Sequence, residues 1–317
     1  MNEPLFENPY KAMQSGVFAS LDKYMKKDSY WQKENYNPSF LLPGQYQERQ
    51  YIPLSCHYNM LISDTVLDYT QENDTLEDWI SNIKSSSDHA LKNALFELDN
   101  ISGNWFQPAA DYNSGQIFFD KEKWSNFALE YLLFKQDYLE NEKTNNTDTS
   151  SSHILISSLD DINEHTTQID IIPDIQGKKM AAIRCFGAVS MASDYKEEAY
   201  HFLMYFLNNV IQESTSTNGM SLSTNGVLGT DYPVQVSAIR TKLSFLDQSK
   251  QDLAIKAFQS LEGAYFPTEV EHFIYEEIIE NSSLLYGPQT DFKKIWQDKL
   301  SALADKAWND YHTQVTE

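Results

Sequence analysis

The pattern of apolar and polar positions along this chain predicts helices that alternate with short strands. Apolar residues recur at helical spacing between about 121 and 139, and again over 270–278 and 292–303. Short apolar runs at 54–63 and 153–158 are bounded by polar residues, which is typical of strands. Strands mixed with helices, followed by a helical C-terminal part, predict an α/β protein.

The stretch Ile172–Asn209 combines the strand and helix patterns within one segment. An apolar strand ends at Pro173, and a second apolar run, Met180–Val189, leads to a helix that follows Ser193. The apolar stripe predicted for that helix consists of Ala199, Phe202, Leu203, Phe206, Leu207 and Val210. A glycine-containing strand followed by a stiff helix is typical of a hinge, and this segment offers no obvious catalytic group.

Composition and charge narrow the function classes. With 317 residues, 41% of them hydrophobic, the chain is long enough to fold into two lobes. A formal net charge of −22 repels phosphate backbones and anionic lipids, so neither nucleic acid nor a membrane surface is an expected partner. The aromatic share of 13% provides side chains that could stack on sugars, with core packing as the alternative for any single one.

The sequence lacks the motifs that would indicate catalysis or metal binding. Its seven histidines form no HExxH or HxH motif, and its two cysteines, Cys56 and Cys185, have no metal-ligand spacing. Cys56 stands next to His57, and adjacent strand residues point to opposite faces, which disfavours a thiolate–imidazole pair. We therefore predict no catalytic residue, no metal and no cofactor. An enzyme with two facing carboxylates stays open, because one sequence cannot show such a pair.

Three segments share their residue types and their order with one known family. Gly16–Asp22 precedes a charged helix, and Gln50–Pro53 is a short extended segment. Pro173–Leu207 contains a turn at Gln176–Gly177, followed by the strand and the helix described above. Leu76–Trp79 and Asp111–Trp124 add two weaker matches. Together these segments resemble the family 1 extracellular solute-binding proteins, which are the ligand-capturing subunits of bacterial ABC importers.

The resemblance implies a two-lobe, periplasmic-binding-protein-like (type II) α/β fold, similar to that of the maltose-binding protein. It assigns residues 1–53 and 188–234 to the N-terminal lobe, and residues 54–187 and 235–317 to the C-terminal lobe. Members of the family begin with a signal peptide and further strands that the chain as given does not include. The resemblance therefore implies an incomplete N-terminal lobe and a helix-rich C-terminal part.

Hinge strands are implied where the chain crosses between the lobes, because hinges of this kind absorb backbone rotation while the lobes stay rigid. They are Tyr51–Ser55, Phe186–Ser190 and Val234–Ser237. Cys56 and Cys185 would flank these strands. A disulfide there would oppose closure, so both are expected to be free thiols.

Ligand-binding residues follow from the positions at which the family places its cleft. The expected residues are His57, Tyr58, Trp105, Ser157, Ser158, Asp160, Arg184 and Phe186. Tyr58 and Trp105 have core packing as the alternative. Arg184 lies in an apolar strand, where a charged group needs either a polar ligand or an acidic partner.

The function implied is extracellular capture of a carbohydrate, a mono- or oligosaccharide, for an ABC importer by closure of two lobes. The resemblance implies a monomer without enzymatic activity that works with permease subunits and is anchored at the cell surface. The chain as given carries no signal peptide or lipobox. Two alternatives are a carbohydrate-active enzyme and a truncated remnant that acts as an interaction module without binding a ligand.

Overall fold

The computed structural model of this chain describes most of its residues. The described residues are 8–28, 38–52, 57–67, 74–86, 88–144, 154–157, 159–183, 186–206, 234–281 and 291–317. Within these ranges, no helix is both long enough and apolar enough to cross a membrane.

Helices make up most of the regular structure. In chain order they are α1 (Pro9–Gln14), α2 (Asp22–Met25), α3 (Leu76–Lys84), α4 (His89–Phe96), α5 (Lys121–Thr144), α6 (Lys196–Phe206), α7 (Val236–Lys242), α8 (Gln248–Gln259), α9 (Glu269–Glu280) and α10 (Phe292–Thr316). Short 3-10 segments cover Pro38–Phe40, Leu42–Gly44, Glu97–Asn104 and Leu159–Asp161. The long helix α5 confirms the helix predicted from about 121 to 139.

The strands are short and form small sheets. They are β1 (Gln45–Tyr46), β2 (Arg49–Gln50), β3 (Met60–Ser63), β4 (Ala110–Asp111), β5 (Gln116–Ile117), β6 (Ile154–Ser157), β7 (Gln168–Ile171), β8 (Met180–Ala182) and β9 (Gly263–Tyr265). β1 pairs with β2 and β4 with β5 in antiparallel hairpins, β3 lies beside β6, and β8 and β9 run parallel. The sequence pattern misses β9, because three residues are too few to show a period.

Contacts divide the chain into two compact units. Unit 1 comprises Met1–Met60, Ser157–Ile171 and Lys179–Pro267, and unit 2 comprises Leu61–Ile156, Ile172–Lys178 and Thr268–Glu317. These boundaries differ from those of the predicted lobes, most clearly at residues 235–267, which group with unit 1. The assignment of residues to two ligand-closing lobes stays a prediction.

Unit 2 is built on the long helices α5 and α10 and has a core rich in aromatic side chains. The buried aromatic residues that pack together in this core are Trp79, Trp105, Phe106, Phe119, Trp124, Phe127, Tyr131, Phe134, Phe292, Trp296 and Tyr311. Helix α9 packs against the 3-10 segment at Gly103, where a β-carbon would lie 2.3 Å from the Glu271 carbonyl oxygen. Only glycine allows this close approach.

The sequence predicts that a helix begins after Thr75, with Thr75 as its cap and two acidic residues in the first turn, and helix α3 begins there. The Thr75 hydroxyl accepts a hydrogen bond from the Asp78 amide at 3.1 Å, and the Asp78 carboxylate accepts one from the Thr75 amide at 2.9 Å. This reciprocal capping box satisfies two amides that the helix itself leaves without partners. The bonds from Thr75 lower the pKa of the Asp78 carboxyl.

In unit 1, helix α6 buries only part of the apolar stripe that its sequence pattern predicts. Tyr200 is fully buried, stacks on Tyr24 with ring centroids 5.3 Å apart, and donates its hydroxyl hydrogen to Asp28 at 2.9 Å. Phe202, a member of the predicted stripe, is 63% exposed. Ala199 and Leu203, two other members of the stripe, are partly buried and pack against the same core. The prediction is wrong at Phe202, because Tyr200 has both a stacking partner and a hydrogen-bond acceptor on the buried side of α6.

The predicted hinge strand Val234–Ser237 is wrong in its second half. Gln235 has an extended backbone, with φ −115° and ψ 135°, and helix α7 begins at Val236. Ala238, Ile239 and Leu243 are all buried at helical spacing, so the apolar positions here fit a helix rather than a strand. Within Phe186–Ser190, the structure shows an isolated antiparallel bridge from Ser190 to Phe18 rather than a continuous strand.

Candidate functional site

A candidate site lies on unit 1 at the carboxyl ends of the parallel strands β8 and β9. Ala182 is in register with Tyr265, and the amide of Ile183 donates to the carbonyl oxygen of Tyr265 at 2.8 Å, so the two strands end together. The carboxyl ends of parallel strands are where open α/β sheets bind their ligands. This place in the sheet favours a binding role for the side chains that follow the two strands.

His57 flanks the other side of β8. Its amide and carbonyl each exchange a hydrogen bond of 2.6 Å with Ala182, and its side chain is half-buried. The next residue, Tyr58, is fully buried and packs against Phe258 of α8 with ring centroids 6.0 Å apart. Tyr58 therefore packs in the core, which was the alternative to a binding role, whereas part of His57 is accessible.

Aromatic side chains gather immediately beyond the ends of β8 and β9. Phe266 directly follows β9, and its ring meets that of Phe186 edge-on, with centroids 5.3 Å apart and an interplanar angle of 73°. On another side of Phe266, Tyr10 of α1 makes a similar edge contact at 5.4 Å and 79°. Phe266 is buried, whereas Phe186 and Tyr10 are half-buried. We call His57, Phe186, Phe266 and Tyr10 the β8–β9 edge.

A backbone hydrogen bond fixes this aromatic group in place. The amide of Phe266 donates to the Tyr10 hydroxyl oxygen at 3.0 Å, which links α1 to the end of β9. Helix α1 is itself well defined, because Asn8 caps it by accepting from the amides of Tyr10 and Lys11 at 3.0 and 3.2 Å. Tyr10 is therefore held by a capped helix and by the end of a paired strand, and the ring of Phe186 packs edge-on against Phe266. This arrangement suits stacking of the two half-buried rings against the C–H face of a ligand.

Trp105 lies elsewhere, in the core of unit 2. It is fully buried, and its indole N–H donates to the carbonyl oxygen of Leu98 at 3.2 Å. The rings of Phe127 and Tyr131 meet it edge-on at 5.1 and 4.9 Å between centroids. Trp105 therefore packs in the core of unit 2, which was the alternative to a binding role, and we do not include it in the candidate site.

For the four remaining predicted ligand residues, the structure describes the backbone of two and neither backbone nor side chain of the other two. Ser157 ends strand β6 and Asp160 lies in the 3-10 segment Leu159–Asp161, both known from the backbone alone. Ser158 and Arg184 lie outside the described residues, as do Cys56 and Cys185. The ligand-binding role of these residues stays a prediction.

Sequence reasoning missed Tyr10 and Phe266 as members of the edge. Phe266 carries a usable signal, since the run Gly263–Phe266 is a short apolar segment that ends before Pro267, and a residue that precedes proline favours an extended backbone. The sequence around Tyr10 gives no such signal, because the role of Tyr10 depends on where helix α1 packs.

A second polar cluster, in unit 2, bears on the enzyme alternative. The Glu271 side chain accepts from the Tyr311 hydroxyl at 2.6 Å, from Gln107 at 3.1 Å, and from the amide and hydroxyl of Thr268 at 2.7 Å each. Through its backbone amide, Gln107 also donates to the Asp174 carboxylate at 2.9 Å. One residue therefore bridges two buried carboxylates.

These carboxylates do not have the features of a catalytic pair. Asp174 and Glu271 are 4% and 5% exposed, and protein donors hydrogen-bond to both oxygens of each carboxylate. Burial raises the pKa of Asp174, against the lowering effect of the amides of Gln107, Lys178 and Gln176. A glycosidase needs two carboxylates that face a substrate, so this pair does not support the enzyme alternative.

Metal binding has no support in the described part of the chain. Among those residues, no three histidine, cysteine, aspartate or glutamate side chains come together in a way that could hold a metal ion. The chemistry available at the β8–β9 edge is that of half-buried aromatic rings and of a half-buried histidine whose backbone pairs with β8.

Comparisons with known proteins establish the fold. No protein-family model matches the chain, and no curated protein matches it. A solved family 1 extracellular solute-binding protein from Alicyclobacillus acidocaldarius aligns with 98% of this chain and 82% of its own, at 11% identity and a TM-score of 0.50. An ABC transporter solute-binding protein from Agrobacterium radiobacter, solved in complex with ribitol, aligns with 93% of this chain and 81% of its own, at 13% identity and a TM-score of 0.51.

At such low identity these structures bear on the fold alone. The chain has the periplasmic-binding-type fold of the two-lobe solute-binding proteins, with mixed strands and many helices, which confirms the predicted fold class. The fold agrees with the resemblance drawn from the sequence motifs.

Proposed function

We propose that this chain, which has the fold of the family 1 solute-binding proteins, captures a sugar or polyol for an ABC importer and releases it unchanged. The observation that carries the proposal is the fold itself, shared over nearly the whole chain with proteins of that role. One of them was solved with ribitol, a ligand rich in hydroxyl groups and C–H faces. The absence of a motif for catalysis or metal binding in the sequence is consistent with capture without turnover.

The β8–β9 edge is the part of the described structure that we assign to ligand contact. Phe186 and Tyr10 are half-buried aromatic residues in edge contact with Phe266. We expect a ring that stacks on a sugar to contribute an amount similar to that of an aromatic pair, about 0.5–1.5 kcal/mol. We assign His57, whose backbone pairs with Ala182 of β8, as a polar contact. Ser157, Ser158, Asp160 and Arg184 complete the proposed set by the family's cleft positions, and hydrogen bonds to ligand hydroxyls would add about 1 kcal/mol each.

The wider role follows from the same proposal. Closure of two lobes around the ligand would present the loaded protein to permease subunits of the importer. We propose that the protein acts as a monomer outside the cell and is anchored to its surface. The proposal requires no cofactor.

A thermal-shift panel of polyols, monosaccharides and oligosaccharides tests the proposal, beginning with ribitol, mannitol and maltotriose. A ligand at 100 times its Kd stabilises the native state by about 2.7 kcal/mol, so at least one panel member is expected to raise the Tm clearly. NMR spectra of that ligand, recorded before and after a day of incubation with the protein, are expected to be identical. Conversion to products would favour the enzyme alternative, and no shift from any compound would favour the non-binding module.

A further inference from the structure

The seven-residue segment Ile172–Lys178 belongs to unit 2, although the chain before it and after it belongs to unit 1. The chain belongs to unit 1 through Ile171, to unit 2 over Ile172–Lys178, and again to unit 1 from Lys179. Strands β7 and β8, which precede and follow this segment, both belong to unit 1. The resemblance drawn from the sequence does not anticipate this pair of crossings.

Within unit 2 the segment is held by the side chain of Asp174. Its carboxylate accepts from the amides of Gln176 and Lys178 at 2.8 Å each, which close the segment's own turn, and from the amide of Gln107 at 2.9 Å. The carbonyl oxygen of Asp174 accepts from the amide of Leu76 at the start of α3, at 3.0 Å. One buried residue therefore joins the segment to two other parts of unit 2.

Apolar burial reinforces these bonds. Ile175 is fully buried and Ile172 is 6% exposed, and both belong to the core of unit 2. The amide of Ile175 also donates to the carbonyl oxygen of Trp105 at 2.9 Å. Side chains buried in a close-packed core cannot shift without disturbing their neighbours, so the segment moves with unit 2.

We infer that Ile172–Lys178 is a rigid anchor, with Asp174 as its positioning residue, and that it limits bending between β7 and β8 to the two junctions Ile171–Ile172 and Lys178–Lys179. The inference deepens the proposed function, since closure of two lobes needs defined bending points in each chain crossing. The two junctions lie outside the hinge strands expected from the sequence, which are Tyr51–Ser55, Phe186–Ser190 and Val234–Ser237.

Hydrogen exchange of the ligand-free protein tests the anchor. In the Asp174→Ala variant the amides of Gln107, Gln176 and Lys178 lose their acceptor, and we expect each to exchange at least about tenfold faster. The amide of Asp99, which donates to the Tyr131 hydroxyl elsewhere in unit 2, should keep its wild-type rate. Asp174→Asn keeps one carbonyl oxygen and is measured as well, in case the alanine variant does not fold.

A matched control is available in the same unit. Asp111 also closes a turn with its carboxylate, accepting from the Asn113 amide at 2.9 Å and from the Ser114 hydroxyl at 2.6 Å, but it lies in the β4–β5 hairpin. Asp111→Ala should leave the three amides around Asp174 protected. If these amides stay protected in both Asp174 variants, the anchor is contradicted.

Distance distributions test the effect on bending. Spin labels introduced as unnatural amino acids at the exposed positions Ser249 in unit 1 and Ser301 in unit 2 report the spread of distances between the units. Asp174→Ala is expected to broaden the distribution, whereas Asp111→Ala should leave it as in wild type. If the amides around Asp174 exchanged faster in Asp174→Ala but the distance distribution did not broaden, the claim that the anchor limits bending would be contradicted. Neither measurement uses a ligand, so a failed binding panel would not affect this result.

Discussion

Trp105→Ala is expected to lower the free energy of unfolding of unit 2 by about 3–5 kcal/mol. Trp105 is fully buried, and its loss would leave a cavity among Trp124, Phe127 and Tyr131, whose rings all lie within 6.4 Å of it between centroids. The carbonyl oxygen of Leu98 would also lose the indole donor. The same residue was a predicted ligand platform, so this variant separates the two roles.

Denaturant unfolding followed by circular dichroism measures the effect, with Phe245→Ala as the matched control. Phe245 is 72% exposed, and truncation of an exposed side chain changes stability by less than about 0.5 kcal/mol. If Trp105→Ala kept wild-type stability but abolished ligand binding, the core assignment of Trp105 would be wrong.

Asp99→Asn and Lys135→Met are each expected to destabilise unit 2 by about 3–5 kcal/mol. These two residues form an ion pair between the 3-10 segment and α5, and they are 7% and 3% exposed. Removing one charge leaves the other buried without its counter-ion. Contact of the Lys135 ammonium with the Phe96 ring, 4.1 Å from its centroid, cannot replace a carboxylate.

The double variant Asp99→Leu with Lys135→Met gives the sharper test. When both charges are replaced by apolar groups of similar size, the desolvation penalty disappears along with the attraction, so we expect a change of less than about 2 kcal/mol. The exposed pair Lys121–Asp305 serves as the control, with a nitrogen–oxygen distance of 2.7 Å and an expected contribution below about 1 kcal/mol. Single variants at positions 99 and 135 that cost no more than those of the exposed pair would contradict the buried-pair account.

Long periodic elements of this fold could be predicted from the sequence. Trp124, Phe127 and Tyr131 recur at helical spacing on α5 and are all buried, because a helix of this length presents one continuous face to the core. Thr75 was a predicted helix cap and forms one. Both predictions depend on local geometry, which the sequence encodes directly.

Elements that depend on partners distant in the chain were missed or misplaced. Strand β9 forms because β8 lies beside it in parallel, and a parallel partner leaves no signature in three residues. On α6, Tyr200 rather than Phe202 is buried because Tyr24 and Asp28 receive it. No periodicity argument can supply such partners.

In the candidate site too, some residues could be predicted from the sequence, whereas others depend on partners that are distant in the chain. His57 and Phe186 were predicted to act together, and the structure places both next to β8, one through its pairing with Ala182 and the other four residues further along the chain. Phe266 and Tyr10 join them only through the fold. Whether a residue such as Trp105 packs or binds depends on its tertiary surroundings, so composition and motif position could not decide it.

The most direct test of the central claim is calorimetric titration with the panel compound that gives the largest thermal shift. We predict saturable binding of one ligand per chain at a Kd near or below about 1 μM, which corresponds to roughly 8 kcal/mol. Phe186→Ala should weaken it about two- to tenfold through loss of ring stacking, while Phe245→Ala, at an exposed phenylalanine of the same unit, should leave it unchanged. Equal affinity in wild type and Phe186→Ala would contradict the proposed site, and no measurable binding of any panel compound would contradict ligand capture.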